Sequence, residues 1–460
     1  MIMNTFSSLG KKTLSFLFDH IVTVIFVVFI VIGLVFSSDL SFDFFINELL
    51  ARFFRNGFLV LSLIIPVIAG LGLNFGIVVG AIAGMLSIIA VRFIDIGGFP
   101  GLSLCFLLAL PLALLFGYAT GKLYNRTRGQ ETIASIIVGY FANGVYQFIV
   151  LFAIGAIIPV AASHPMVKPN GIGLNSTFDM GAPASQIRNP ALQKAGLSHA
   201  LDRIWQAPFI PMLVVFAFCI LAYLVISRML SKRNPALRPT GKWVFRLKCA
   251  ICAVVIILGL HGLIIPRGIR FIVESEFLKN LGFYGITIPG SLLPGIREIP
   301  AITGVVLLAL CLFTHYFTKT KLGQDCRSVG QTQYIARISG INVDSTRIIA
   351  TMISTVLASW GMIIFLQNMG TVSTYSSHMH IGMFSVASLL VGGASTTRAS
   401  VKNALVGVLL FNAMFIVSPE ISRLITGGEG LDEYTRSFMV YGIIGLALGL
   451  NIRKDMKTKL

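Results

Sequence analysis

The chain has 460 residues, 55% of them hydrophobic and only 12% charged, a balance that excludes an ordinary soluble domain and predicts an all-α polytopic integral membrane protein. A formal net charge of +18 would suit nucleic acid if it formed one basic face. Instead the cations fall in short gaps between apolar runs, so they read as membrane topology and no nucleic-acid partner is expected. The six cysteines lie in apolar stretches or in loops placed inside, which implies no disulfide framework. Cys249 and Cys252 lack the further ligands that a zinc site needs.

Lys11 and Lys12 precede the apolar run Ile21 to Phe36 as in a signal peptide, but the following SSDLSFDFF offers no small-x-small cleavage pattern. The run is therefore read as an uncleaved first span, 20–37, within an N-terminal extension 1–55. Further spans are expected within 56–460, at 56–72, 75–93, 100–120, 132–160, 208–228, 248–266, 300–317, 348–367, 383–396, 403–424 and 436–451. At about 20 apolar residues per crossing this gives about 10–12 transmembrane helices, counting short or broken ones. Pro66 and Pro111 interrupt two of them, which only a bundle that re-satisfies the freed backbone groups tolerates. Gly76, Gly80 and Gly84 recur every fourth residue, a spacing that lets a neighbouring helix approach closely. Gly392 and Gly393, ahead of Ser395, Thr396 and Thr397, predict a break between two helices.

Segment 227–248 carries Arg228, Lys232, Arg233, Arg238, Lys242, Arg246 and Lys248 without one acid, which places it in the cytoplasm. Lys122, Arg126, Arg128 and the tail NIRKDMKTKL agree with it. Both termini are then expected inside, with 161–207, 267–299 and the acidic stretch around Glu429, Asp432 and Glu433 outside. All carboxylates fall in loops or near span ends. This weakens a proton- or sodium-coupled carrier without excluding one, since backbone carbonyls can bind sodium. The stretch GYATGKLYN, 117–125, is too short between its glycines and lacks Ser or Thr after Lys122, so it is no phosphate loop. Neither HExxH nor a nucleophile elbow is present, which leaves an intramembrane enzyme a weak reading.

One polar passage interrupts the apolar second half: GQDCRSVGQTQYIARISGINV, 323–343. Its Tyr334, Ile335 and Ile338 share one side of a short helix, with Arg337 beside them. Standing alone, such a peg would be an interfacial helix on lipid headgroups.

The longer stretch LGQDCRSVGQTQYIARISGINVDSTRIIATMISTVLASWGM, 322–362, resembles the cytoplasmic loop and following helix of ATP-binding-cassette (ABC) importer permeases of the branched-chain amino acid, ribose and nucleoside superfamily. The family pattern maps to Gly323, Arg327 to Gly330, Ala336, Arg337, Ser339, Gly340 and Ile341, with Ile335 where the family usually has Ala. AGLGLNFGIVVGAIAGMLSIIA, 69–90, resembles the N-terminal core segment with its Gly-Leu-Asn turn. SVASLLVGGASTTRASVKNALVGVLLFNAM, 385–414, resembles the late segment with its Leu-x-Gly-Gly turn, and RGQETIASIIVGYFANGV, 128–145, the nucleoside-type branch.

The resemblance implies the ABC importer permease fold in a bacterial plasma membrane, with a second permease subunit, identical or paralogous, completing the path. It implies ABC ATPase subunits bound inside at a coupling loop, 318–347, and an extracytoplasmic solute-binding protein outside; the loop 161–207 with Trp205, too long for a simple connection, is a candidate contact for that protein or else a cover packed on its own permease. No cofactor is expected on this chain, since ATP and Mg belong to the partner ATPase. The coupling residues are Gly323, Gly330, Tyr334, Ile335, Ala336, Arg337, Ile338 and Gly340, the glycines acting as helix breakers and Arg337 as a polar anchor, while Asp325 and Arg327 position the loop.

Tyr140, Asn143 and Gln147 share one helical face and are candidates to line the substrate path, joined by Asn74, Trp360, Gln367 and Asn368; interhelical hydrogen bonding is the alternative. A nucleoside or simple sugar is favoured as substrate, with riboflavin-like molecules and amino acids open. The competing class is an ion-coupled transporter or channel, which takes up solute with no ATPase partner.

Overall fold

The computed structural model describes residues 21–36, 42–160, 164–181, 196–204, 206–208, 269–272, 285–288, 298–395 and 398–426, with scattered positions between 214 and 257 and between 434 and 445. The spans expected at 208–228, 248–266 and 436–451, the basic segment 227–248, the termini, Trp205 and residues 182–195 lie wholly or mostly outside the described residues.

In chain order the helices are α1 (Ile21–Phe36), α2 (Phe42–Ser62), α3 (Ile64–Ile68), α4 (Ile77–Ile94), α5 (Gly98–Arg126) and α6 (Glu131–Phe148, prolonged by one π turn to Ala153). Three-residue strands β1 (Thr177–Asp179) and β2 (Gln206–Pro208) follow, then β3 (Ile269–Ile272), β4 (Gly285–Ile288) and β5 (Glu298–Pro300). The chain returns to helix in α7 (Ala301–Phe317), α8 (Lys321–Gln331), α9 (Gln333–Ile338) and α10 (Val343–Met369), and ends in β6 (Thr371–Ser373), α11 (Ser377–Val391) and α12 (Val401–Thr426).

Two compact units result, one made of residues 40–50 and 206–301 and one of the rest. In the smaller, β2 pairs with β5 and β3 with β4, both antiparallel. All that follows concerns the larger.

Among the described residues six helices are long and apolar enough to cross a membrane, and a seventh if α7 and α8, bent by 71° at their junction, count as one. The all-α polytopic fold expected from composition is thus present. Helix α2 runs without a break through residue 55, where the N-terminal extension is expected to end. Pro66 sits in the first turn of the short α3, where a missing N–H costs no helical hydrogen bond. Gly70 and Gly72, at φ 73° and 67°, then turn the chain into α4 as only glycine does readily.

Helix α10 is the axis of the unit, packed against α4 and α5. Both neighbours present glycines to its backbone. A Cβ on Gly80 or Gly84 would come within 2.6 Å of the Thr355 carbonyl oxygen or 2.5 Å of that of Ser359. On the other flank, one on Gly117 or Gly121 would come within 2.8 Å of the Met352 Cα or 2.9 Å of the Ile348 Cα. Close main-chain approach of this kind replaces hydrophobic attraction as the cement between spans. The pair Gly117 and Gly121, rejected as a phosphate loop, is an interface. Gly76 departs from the expected stripe: a Cβ there would meet the Tyr124 hydroxyl at 2.2 Å.

Polar side chains buried on α10 bond locally or to the next helix: Thr351 Oγ1 donates to the Arg347 carbonyl (2.9 Å) and Ser354 Oγ to the Ser62 carbonyl (2.9 Å). The span expected at 383–396 is α11, which stops at the Gly392–Gly393 turn; a Cβ on Gly392 would lie 1.8 Å from the Asn403 carbonyl oxygen. Helix α1 lies on α12 and α11, its Thr23 Oγ1 donating to the Val391 carbonyl at 2.7 Å.

Candidate functional site

The bend after α7 is built by Thr320 and Gly323. Thr320 caps α8 by accepting from the Gly323 N–H at 3.2 Å, and a Cβ on Gly323 would stand 2.0 Å from the Phe317 carbonyl oxygen. Gly323, Cys326 and Val329 recur along the buried face of α8. Gly330 rests on the end of α3, with room for no Cβ within 2.0 Å of the Ile68 carbonyl oxygen. The expectation that three glycines break the helix is therefore corrected: Gly323 and Gly330 lie inside α8 and permit contact. The break itself falls at the extended Thr332, and Gly340 alone, at φ 81°, has a breaker's backbone.

Between these points stands α9, six residues long. Ala336 is its buried residue, joined to Val329 of α8 and Val343 of α10 in a small core. The Ile341 N–H donates to the Ala336 carbonyl at 3.0 Å, and Asn342 caps α10 through the Ser345 N–H at 3.1 Å. With Ala336 turned inward, Tyr334, Ile335 and Ile338 remain 75%, 60% and 69% exposed, and Arg337 is exposed beside them. The predicted apolar side exists and is uncovered.

The same end of the unit carries two ion pairs that tie the start of α10 to the α5–α6 junction. Arg347, fully buried, donates from Nη2 to Glu131 Oε1 at 2.5 Å and to the Tyr124 carbonyl at 3.4 Å. Arg128 pairs with Asp344, and Asn125 Nδ2 donates to the Asp344 carbonyl at 2.9 Å. Neither Arg347 nor its role was read from the sequence; a lone arginine at the head of an apolar run was the available signal.

The seven candidate path residues do not meet in one place. Asn74 is buried, accepting from Tyr124 Oη at 2.9 Å and from the Gly76 N–H at 3.0 Å, so it holds a turn. Trp360 donates to the Phe106 carbonyl at 3.4 Å and meets the Phe106 ring edge to face. Tyr140 is exposed on α6, with Asn143 and Gln147 half-buried on the same face. Asn143 Oδ1 lies 2.7 Å from His378 Nε2.

Gln367 and Asn368 belong to a cluster at the far end of α10. Asn368 Nδ2 donates to Asp202 at 2.8 Å and its Oδ1 accepts from Arg55 at 3.2 Å. Thr303 donates to the other Asp202 oxygen at 2.5 Å, and His199 Nδ1 lies 3.3 Å from Asp202. Gln367 Oε1 accepts from the Leu201 N–H at 3.3 Å. These contacts dock residues 196–204 of the long loop, while Met166, Leu174 and Met180 bury its first part. The described parts of the loop pack on the helices and strands of this chain.

Burial alone would raise the Asp202 carboxyl, but hydrogen bonds from His199, Thr303 and Asn368 outweigh it and hold the group below the usual carboxylate range. Its stabilisation is complete above the ordinary aspartate pKa, about 3.9, and is lost as pH falls through the lower folded value. Asp202→Asn is expected to be about 2 kcal/mol less stable than wild type at neutral pH. The gap closes below about pH 4, which thermal unfolding of the two purified proteins checks.

An apolar bundle that holds a short exposed helix off one end, on a sharply bent stalk, is the build of a membrane permease. Residues 45–428 match the family of branched-chain amino acid transport system permease components. The chain belongs to that family and is a multi-pass permease component of an ABC-type transport system. No curated relative and no solved structure matches it.

Proposed function

We propose that the chain is one permease half of an ABC importer, that separate ATPase subunits dock on α9, and that a solute-binding protein delivers a nucleoside or simple sugar from the far side. The observation that carries this reading is the uncovered face of Tyr334, Ile335 and Ile338 on a helix anchored from behind by Ala336. Such a face suits a helix-in-groove contact. Arg337 adds a cation at its edge. The end bearing α8, α9 and the two ion pairs is the cytoplasmic one, in a bacterial plasma membrane with both termini inside. This chain performs no catalysis and holds no cofactor; ATP and Mg act on the partner ATPase, and a second permease subunit completes the path.

Coupling follows from packing and ion pairing between the helices. A nucleotide-driven displacement of α9 passes through the Ala336 core to α8 and α10, and from α10 through Arg347 and Glu131 to α6, which carries Asn143. Rigid elements joined this way move as bodies rather than deform. Changing Tyr334 and Ile338 together to Asp is expected to release the ATPase subunit during purification and abolish ATP-driven uptake, while the permease still inserts. Retention of the ATPase with normal uptake makes α9 an interfacial helix, and uptake by the permease alone makes the protein a carrier or channel.

A further inference from the structure

His378, at the start of α11, is fully buried and reaches across to α6. Its Nε2 lies 2.7 Å from Asn143 Oδ1, its ring meets the buried Tyr146 edge to face at 4.8 Å, and its Nδ1 has no hydrogen-bond partner. A buried N–H without a partner costs more than a buried lone pair without one. The proton therefore sits on Nε2 and donates to Asn143, leaving Nδ1 as the unprotonated nitrogen. That bond fixes the otherwise ambiguous carboxamide: Oδ1 faces His378, which leaves the NH2 to donate elsewhere.

Along α6 Tyr140 lies about one turn before Asn143 and Gln147 about one turn after, so the row from the phenol to the second amide extends for roughly 10 Å along the helix. The charged side chains described on α4, α5, α6 and α11 sit at or near helix ends, as Arg92, Lys122, Arg126 and Glu131. The row is polar and uncharged.

We infer that His378 is a positioning residue that orients Asn143 as a hydrogen-bond donor, and that the row Tyr140, Asn143 and Gln147 is a subsite for a neutral, elongated solute presenting a carbonyl or ring-nitrogen acceptor. A nucleoside has that length and edge, whereas a monosaccharide spans about half the row. This rests on the permease reading above and narrows its substrate class. A site built to hydrogen-bond one group discriminates against a solute that lacks it.

The test uses the assembled transporter in proteoliposomes, with ATPase and binding-protein subunits, and follows labelled uridine and D-ribose at saturating binding protein. His378→Leu and Asn143→Leu are each expected to lower uridine uptake about tenfold, one hydrogen bond to a fixed donor corresponding to roughly that factor. The double variant is expected to fall no further, because the two act as one unit. His378→Gln, whose amide nitrogen can replace Nε2 as donor, is expected to retain at least about half of the wild-type rate, with ATPase-subunit retention unchanged throughout.

Equal losses in His378→Gln and His378→Leu, multiplying losses in the double variant, or wild-type uptake in Asn143→Leu overturn the inference alone. D-ribose moved by wild type in preference to uridine overturns the elongated-solute class. Wild-type uptake of uridine without ATP overturns the permease reading itself, and the inference with it.

Discussion

Replacing Arg347 with Met is expected to be among the most damaging single changes in the chain, costing about 3–5 kcal/mol because it leaves the Glu131 carboxylate buried without its counter-ion. Arg347 is fully buried and Glu131 nearly so, and the 2.5 Å contact between them joins α10 to α6. Breaking one side of such a pair is far more harmful than removing both. The double variant Arg347→Met with Glu131→Met is therefore expected to recover most of the lost thermal stability, since two apolar side chains replace two desolvated charges. Uptake is not expected to recover with it, because the link between the coupling end of α10 and α6 is gone. Recovery of transport in the double variant would show that the pair serves folding alone.

The second large effect is expected at Gly330. A Cβ there would lie 2.0 Å from the Ile68 carbonyl oxygen and 2.9 Å from the Gly70 nitrogen, and one on Gly70 would lie 2.7 Å from the Gly330 Cα. Two main chains touch, and neither offers a flexible side chain that could give way. Gly330→Val must push α8 off the end of α3, at an overpacking cost of about 1–3 kcal/mol. The protein is expected to remain folded and to keep its ATPase subunit, since α9 is untouched, yet to lose at least about nine-tenths of ATP-driven uptake, because a displaced stalk no longer transmits motion. ATP hydrolysis without transport is the signature. Normal transport in Gly330→Val would mean that α8 bears no load.

These two sites differ in how far the sequence discloses them. Gly330 stands in a recognisable pattern, but its residue type serves two purposes, and only backbone angles separate Gly340, which ends a segment, from Gly323 and Gly330, which admit a neighbour. The face formed by Tyr334, Ile335 and Ile338 was legible because helical spacing is local. The spans were legible for the same reason, since apolar length is read residue by residue. Arg347 and Glu131 stand 216 positions apart, and nothing local to either names the other. Separations of 101, 166 and 235 positions likewise hide the Asp202 cluster and the bond between His378 and Asn143. Polarity alone does not tell a solute contact from a turn or a loop dock; in the structure Asn74 holds a turn, and Gln367 and Asn368 meet the long loop. Gly117 and Gly121 were weighed only as a phosphate loop, although their four-residue spacing equals that of Gly80 and Gly84.

The family match begins at residue 45, so α1 lies outside the matched residues. Yet its Thr23 hydroxyl occupies the carbonyl of Val391, the last residue of α11, and a Cβ on its Gly33 would fall 1.8 Å from a Val417 methyl carbon of α12. A carbonyl at the end of a helix in an apolar setting has no water to turn to. The matched core is therefore not a detachable module: a helix outside the match completes the hydrogen bonding of one inside it, and the outline of the match is not the outline of the folded body.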